Sequence, residues 1–129
     1  MVAVDTNVLV RLLVDDNQAQ HRASKALFAA EDVYIPDSVL LETEWVLRAA
    51  FDFSPTEICT ALRLVCGLPN VTLSDGQRIA QILEWHETGF DFADAFHLAL
   101  CKDQEALKTF DAAFIRKARK HSDLRVERP

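Results

Sequence analysis

Residues Val2 to Leu9 read VAVDTNVL and carry the clearest fold signal of the chain. Their apolar start predicts a short buried strand that ends at the carboxylate of Asp5. Either Thr6 or Asn7 can then cap a helix, and the apolar residues that follow predict that this helix is mostly buried. A strand that passes directly into a buried helix is typical of the first unit of a parallel α/β fold.

The rest of the chain repeats this alternation of short apolar strands and helices. Further strands are predicted at 33–36, 71–73, 106–110 and 124–126, and further helices at 17–30, 37–50, 55–66, 75–89, 91–102 and 112–120. The helix at 17–30 is expected to bury the side that carries Ala19, Ala23, Ala26, Leu27 and Ala30. This alternation predicts an α/β fold of three layers, α/β/α, in which a central parallel sheet of four to five strands has helices on both faces.

Two of these helices carry recognisable start signals. Asp37 or Ser38 is expected to cap the helix at 37–50. Ser54 is followed by Pro55 and Glu57, which combines an N-cap residue, a proline in the first turn and a glutamate three positions after the cap. This is the pattern of a capping box, so the helix at 55–66 is expected to begin there.

The composition predicts one globular domain that spans residues 1–129. The chain has a mass of 14.5 kDa, and 50% of its residues are hydrophobic whereas only 3 are glycine, which excludes a disordered chain and a fibrous repeat. The longest apolar run, Val8–Val14, contains Arg11 and is shorter than the roughly 20 residues that cross a bilayer. The sequence shows no secretory leader, and its number of cysteines is odd. We therefore expect a cytoplasmic protein.

The charge distribution is uneven along the chain. The formal net charge is −6, so the chain as a whole repels nucleic acid unless basic residues or a bridging cation act locally. Residues 108–129 contain seven Lys and Arg against three Asp and Glu, a net charge of +4, which leaves seven against seventeen, a net charge of −10, in residues 1–107. Basic residues of the tail could therefore attract phosphate groups locally.

Four carboxylates occupy positions that are unusual for acidic residues. Asp5 and Asp111 each follow a predicted strand, so parallel pairing would bring them to the same edge of the sheet. Asp94 lies in the first turn of the helix at 91–102, which is apolar nearly all round, so it is expected to be buried or to line a cleft. Glu42 lies at helical spacing with Val39 on a stripe that is otherwise expected to be core.

Acidic residues on apolar faces need a partner, because desolvating an unpaired charge costs several kcal/mol. Arg48 has a more obvious partner in Glu44, four residues before it. If the four acids converge, their repulsion would raise their pKa values until a hard divalent cation settled among them. Oxygen ligands favour Mg²⁺, with Mn²⁺ as the alternative, and such a site serves the hydrolysis of phosphodiesters.

Four blocks of the sequence together resemble a known family. They begin at Val2, Val39, Asp91 and Leu107 and read VAVDTNVL, VLLETEWVL, DFADAFHLA and LKTFD. In this order and in these strand and helix contexts, they resemble a PIN domain of the VapC toxin type, over residues 2 to about 126. One such block would be weak support, but four ordered blocks are a specific pattern.

The resemblance implies a Mg²⁺-dependent endoribonuclease, the toxin of a type II toxin–antitoxin pair. It implies an RNA substrate, a cognate antitoxin protein that blocks the site, and a homodimer. The metal ligands and catalytic acids that it implies are Asp5, Glu42, Asp94 and Asp111. Asp5 and Asp94 would hold the principal ion, and Glu42 and Asp111 would complete the site directly or through water.

Further residues receive roles from their positions. Thr6 and Thr109 match hydroxyl positions that orient the acids or the phosphate in the family that the chain resembles. Asp91 is interpreted as the N-cap of its helix, three residues before Asp94, and His97 as a hydrogen-bonded core residue. The basic residues expected to attract flanking phosphates, unless they form a solvated helix face, are Arg116, Lys117, Arg119 and Lys120.

Two other functions remain open at this point. A catalytically silent module with the same fold could act only by binding a protein partner, which activity data must decide. Another Mg²⁺-dependent phosphohydrolase is disfavoured. A dehalogenase-type phosphatase would place a second aspartate two residues after Asp5, where this chain has Asn7, and the chain also lacks the acidic pair of a receiver domain.

Overall fold

The computed structural model describes all residues, 1–129, as seven helices and five short strands. In chain order, the elements are β1 Val2–Ala3, α1 Thr6–Leu13, α2 Gln18–Ala30, β2 Val33–Ile35, α3 Asp37–Phe51, α4 Pro55–Cys66, β3 Val71–Leu73, α5 Gly76–Glu87, α6 Phe92–Leu100, β4 Leu107–Lys108, α7 Ala112–His121 and β5 Val126–Glu127. Residue contacts divide the chain into two compact units, Met1–Ile79 and Ala80–Pro129, which are described one after the other. The expectation of a single domain stays a prediction.

The first unit contains a parallel sheet of three strands in the order β1-β2-β3. Val2 pairs with Val33, and Val33 in turn pairs with Val71, so the three strands start in register. Apolar side chains of β2 and of the helices form its core. Those that are at most 1% exposed are Leu9, Val33, Ile35, Leu40, Leu47, Ile58, Cys59 and Leu62. Both residues of β1 are exposed, so the prediction that the first strand is buried was wrong.

The helix starts of the first unit follow one sequence prediction and contradict another. Helix α4 has the predicted capping box, in which Ser54 Oγ accepts from the Glu57 backbone N–H at 3.1 Å and Glu57 Oε1 accepts from the Ser54 N–H at 3.0 Å. Helix α3 was expected to have Asp37 or Ser38 as its cap, and this was wrong. Pro36 holds the N-cap position without a side-chain hydrogen bond. The proline ring holds φ near its observed value of −63°, so the residue before the helix has little conformational freedom to lose.

Helix α2 packs with a different face from the one predicted. Ser24 and Phe28 are its buried residues, whereas the four alanines of the predicted face, Ala19, Ala23, Ala26 and Ala30, are exposed. An alanine removes little apolar surface from water, and a phenylalanine removes far more. The single large ring therefore decides which side of α2 is buried.

The second unit pairs β4 with β5 in parallel, with Leu107 opposite Val126. Its core contains a cluster of aromatic rings, in which Phe90 meets Phe114 edge-on at 6.4 Å and Phe92 meets Phe96 edge-on at 5.4 Å. Gly89 ends α5 with a φ of +115°, a value that favours glycine, and so turns the chain into this cluster.

The predicted α/β class with parallel strands is confirmed. All strand pairs are parallel, as predicted, but they form two ladders, one of three strands and one of two, rather than one sheet of four to five strands. Strands β4 and β5 contain only two residues each, which is enough for one short ladder. None of the helices combines the length and the hydropathy that a membrane span requires.

Candidate active site

Asp5 lies at the junction between β1 and α1. It is the N-cap of α1, and its Oδ1 accepts a hydrogen bond from the Val8 backbone N–H at 3.2 Å. The expectation that Thr6 or Asn7 caps this helix was therefore wrong, because the helix begins one residue earlier. The exposed carboxylate of Asp5 faces the positive end of the helix dipole, which stabilises its negative charge.

Glu42 is exposed on α3 and is not a core residue, which corrects the prediction from its helical spacing. The buried glutamate of this helix is Glu44, which is 3% exposed and accepts from Arg48 Nε at 2.9 Å. The predicted Glu44–Arg48 pair is thus confirmed. Because the Arg48 guanidinium pairs with it, the Glu44 carboxylate can be buried. The sequence pattern had instead predicted that Glu42 is the buried glutamate of this helix.

Asp5 and Glu42 face the same open pocket, which has a volume of about 280 Å³. The residues that line it are Asp5, Thr6, Asn7, Ser38, Val39 and Glu42. Neither carboxylate forms an ion pair, and the nearby Arg11 is paired with Asp16 instead. Thr6, the neighbour of Asp5 in the chain, is buried and still lines this pocket. Two oxygen-donor groups without basic partners therefore share this pocket.

Asp91 and Asp94 lie at the start of α6. Asp91 is the N-cap, and its Oδ1 accepts from the Asp94 backbone N–H at 3.0 Å, which confirms the capping role inferred from the sequence. This bond occupies the backbone of Asp94 and leaves its side chain available. Asp94 is half-buried, in agreement with the prediction that it is buried or lines a cleft.

Asp94 has an electrostatically unfavourable environment. Its pKa is raised above the ordinary value, first because burial disfavours the charged form and then because the carboxylates of Asp91 and Asp111 repel it. His97 and Lys117 oppose this shift but do not cancel it. The surplus of negative charge around Asp94 is what a bound cation would relieve.

Asp111 is the N-cap of α7, and its Oδ1 accepts from the Phe114 backbone N–H at 3.0 Å. It was predicted to follow a strand directly, but β4 ends at Lys108, so Thr109 and Phe110 intervene. The Thr109 hydroxyl accepts from the Asp111 backbone N–H at 3.1 Å. Thr109 thus positions the backbone that carries the Asp111 carboxylate.

His97 was expected to lie in the core, and this was wrong because it is exposed on α6. The buried histidine is His86, whose Nδ1 donates to the carbonyl oxygen of Phe90 at 2.8 Å. Phe92 and Phe96 fill the buried side of α6, which leaves the position of His97 on the solvent side. One turn after Asp94, His97 is instead one of the two groups that lower the pKa of that carboxyl.

The four basic residues predicted on α7 do not form one set. Arg116 and Arg119 line an open pocket of about 340 Å³ together with Arg128, which lies just after β5. Lys117 instead donates from Nζ to the carbonyl oxygen of Gly89 at 2.7 Å. The sequence interpretation missed Arg128, since only the fold of the tail brings it next to α7.

The candidate acids are therefore described as two pairs. The structure places Asp5 and Glu42 on one pocket of the first unit, and Asp94 and Asp111 within electrostatic range of each other in the second. No group of three or more His, Cys, Asp or Glu side chains is arranged to hold a metal ion. The oxygen donors and the raised pKa of Asp94 fit a hard divalent cation, whereas the convergence of all four acids stays a prediction.

Comparison with known proteins identifies the family. The family model described as the PIN domain matches residues 2–120, so the chain belongs to the PIN domain family, and the resemblance to this domain is confirmed. The chain is also similar to a solved structure, the Mycobacterium tuberculosis VapC20 toxin, described as cleaving the sarcin-ricin loop. Identity is 21%, the TM-score is 0.46, and the match covers 97% of this chain and 99% of that one. No curated protein matches the chain.

Proposed function

We propose that this PIN domain is a metal-dependent endoribonuclease of the VapC type, the toxin of a type II toxin–antitoxin pair. The observation that carries the proposal is the environment of Asp94, whose pKa is raised by burial and by two neighbouring carboxylates in a member of the PIN family. A structural aspartate would be expected to have a basic partner, and Asp94 forms no ion pair. Acids whose pKa is raised by burial and by neighbouring carboxylates are concentrated at functional sites.

In this proposal Asp5 and Asp94 hold the principal Mg²⁺ ion, or Mn²⁺, and Glu42 and Asp111 complete its coordination. A bound divalent cation supplies polarisation of the phosphate and a more acidic water. Asp5 and Asp111 each cap a helix through Oδ1 and carry their carboxylates at the start of α1 and α7. Thr109 holds the backbone of Asp111, and Thr6 supports Asp5 from its buried position.

The proposed substrate is RNA, which is attacked by water at a phosphodiester bond. The basic residues proposed to attract phosphates beside the acidic site are Arg116, Lys117, Arg119 and Lys120. The proposed partners are a cognate antitoxin that covers the site and a second copy of the chain. Trp45 on α3 is 58% exposed and Leu64 on α4 is 71% exposed, which supports a dimer contact on these helices. The proposed location of the protein is the cytoplasm.

Cleavage of total cellular RNA by the purified chain tests the proposal. We expect discrete fragments with Mg²⁺, no fragments with EDTA, and no fragments from Asp94→Asn. Asp123→Asn is the matched control, since Asp123 is an exposed aspartate of the same unit that forms no ion pair, and it should cleave like the wild type. Fragments that persist in EDTA or in Asp94→Asn would contradict the proposed site.

A silent PIN module that acts by binding a protein is the second candidate function. It is favoured by the exposed apolar side chains of Trp45 and Leu64, which offer a surface to a protein partner. Thermal unfolding separates the two functions. The nuclease should be stabilised by Mg²⁺ in the wild type but not in Asp94→Asn, whereas the silent module should show no cleavage and no stabilisation by metal.

A further inference from the structure

Three arginines from two parts of the chain meet at one concavity of the second unit. Arg116 and Arg119 are three positions apart on α7, so they lie on one face of the helix. Arg128 reaches the same pocket from the residues after β5. The other residues that line this pocket, Ala112 and Ile115, are small or apolar, so no carboxylate faces the arginines.

These three arginines form no ion pair, although acidic residues lie close to them in the sequence. Glu127, the neighbour of Arg128, instead accepts from Arg125 Nε at 2.8 Å and from Lys108 Nζ at 2.9 Å. Arg125 also lies 3.7 Å from Glu105. Glu105 and Glu127 are thus paired with other basic residues, and no ion pair compensates the three arginines of the pocket.

A solvated helix face does not explain this arrangement. On such a face, each basic residue would project into solvent independently of distant parts of the chain. Arg116 and Arg119 instead line one concavity together with Arg128, which comes from the residues after β5. Lys117 donates to the Gly89 carbonyl oxygen, and Lys120 does not line the pocket. Three like charges on one concave surface repel each other, and a bound anion would relieve this repulsion.

We propose that Arg116, Arg119 and Arg128 bind the backbone phosphates of the RNA strand, next to the phosphate that is cleaved. The guanidinium fork matches a phosphate with two parallel hydrogen bonds. Asp111 caps the same helix, and Arg116 and Arg119 lie about 7.5 and 12 Å further along its axis, at about 1.5 Å per residue. The pocket therefore lies on the helix that begins at Asp111, one of the proposed catalytic acids, which favours a strand of RNA over a protein. The inference rests on the proposed function.

Binding of a fluorescein-labelled oligouridylate, followed by polarisation in EDTA, tests this pocket without cleavage. For the triple variant Arg116→Gln/Arg119→Gln/Arg128→Gln, we expect the affinity to fall at least about tenfold. The slope of log affinity against log salt should flatten by about 0.7 for each lost phosphate contact, hence by about 2 in total. Circular dichroism and thermal unfolding verify that the variant is folded.

The matched control is Arg22→Gln/Lys25→Gln/Lys102→Gln, which removes the same net charge at exposed positions without ion pairs. It should change the affinity less than threefold. Equal losses of RNA affinity in the two triple variants would contradict binding at the pocket and would indicate a general effect of net charge. Unchanged RNA binding together with loss of a protein partner in the pocket variant would overturn it in favour of a protein-binding surface.

The cleavage assay separates failure of this inference from failure of the nuclease function. Cleavage that requires Asp94 but has the same KM and salt dependence in the pocket variant as in the wild type would overturn the pocket alone. RNA binding that requires the three arginines, with no cleavage in any metal, would overturn the nuclease function and support the pocket. A wild type that neither binds nor cleaves RNA would overturn both.

Discussion

The two acidic regions handle the same kind of charge in different ways. In residues 1–79, Asp5 and Glu42 are exposed on an open pocket, and water can solvate both carboxylates. In residues 80–129, Asp94 is half-buried beside Asp91 and Asp111, and its pKa is raised. Water stabilises the charged form of an exposed acid, whereas burial beside like charges destabilises it. Asp94 therefore gives the stronger indication of function.

The largest expected effect is the loss of RNA cleavage when Asp94 of the second region is replaced. Asp94→Asn should lower the cleavage rate by about two to three orders of magnitude, the size found when a group that stabilises transition-state charge is removed. The same variant should unfold at a slightly higher temperature than the wild type in EDTA at neutral pH. Its raised pKa means that the folded state binds the proton more tightly than the unfolded state, so the charged Asp94 destabilises the fold at pH values above its pKa.

A cleavage rate of Asp94→Asn within threefold of the wild type would contradict this distinction between the two regions, because the half-buried acid would then have no catalytic importance. A fall in the unfolding temperature of Asp94→Asn would show that the carboxylate is structural. Gel-based cleavage and differential scanning calorimetry on the same preparations provide both results.

The two glutamates of α3 sharpen the distinction between a functional and a structural acid. Arg48→Ala should lower the free energy of unfolding by about 1–3 kcal/mol, since it removes a charged hydrogen bond from the buried Glu44. Glu42→Gln should change it by less than about 0.5 kcal/mol, because an exposed group without an ion pair contributes little. Urea unfolding measures both variants. Cleavage should be impaired in Glu42→Gln and retained in Arg48→Ala, and the opposite result would exchange the two roles.

Asp5 allows the cap to be separated from the site. Asp5→Ala should lower the free energy of unfolding by about 1 kcal/mol, the usual cost of losing an N-cap, whereas Asp5→Asn keeps the cap and should be nearly neutral. Both variants should lose cleavage, because neither retains the carboxylate. Equal stability of the two variants in urea would show that the hydrogen bond to the Val8 N–H contributes nothing.

The smallest expected effect is at Glu57, a helix-start acid that is outside both regions. Hydrogen bonds from the backbone and side chain of Ser54 lower its pKa. A lowered pKa stabilises the fold at pH values above the ordinary glutamate value of about 4.3, and this stabilisation is lost as the pH falls through the depressed value. The stability difference between wild type and Glu57→Gln, measured by thermal unfolding, should therefore shrink between neutral and acidic pH, and a constant difference would contradict this.

Several features of the fold could be predicted because they depend on neighbouring residues. The Ser54–Glu57 capping box, the Asp91 cap and the Glu44–Arg48 pair each join residues three or four positions apart. A helix places such residues next to each other wherever it lies in the fold. The four sequence blocks also indicated the PIN domain from the sequence alone, because they preserve the order of strands, helices and acids along the chain.

Other features could not be predicted, because packing selects among faces that look alike in sequence. Four alanines outnumber one phenylalanine on α2, yet Phe28 is buried, since its ring removes far more surface from water. His86 is buried and His97 exposed, although His97 lies on the more apolar helix. Periodicity counts apolar positions, whereas packing responds to the shape and area of each side chain.

Local patterns in the sequence were enough to predict the α/β class, the approximate helix positions, the family and the candidate acids. The exposure of Glu42, the burial of Glu44, the unfavourable environment of Asp94 and the separation of the α7 basic residues into two sets became visible only in the folded chain. Arg128 joins Arg116 and Arg119 only because β5 pairs with β4 and returns the tail to α7. Burial and electrostatic environment arise from contacts between distant segments, which no local pattern encodes.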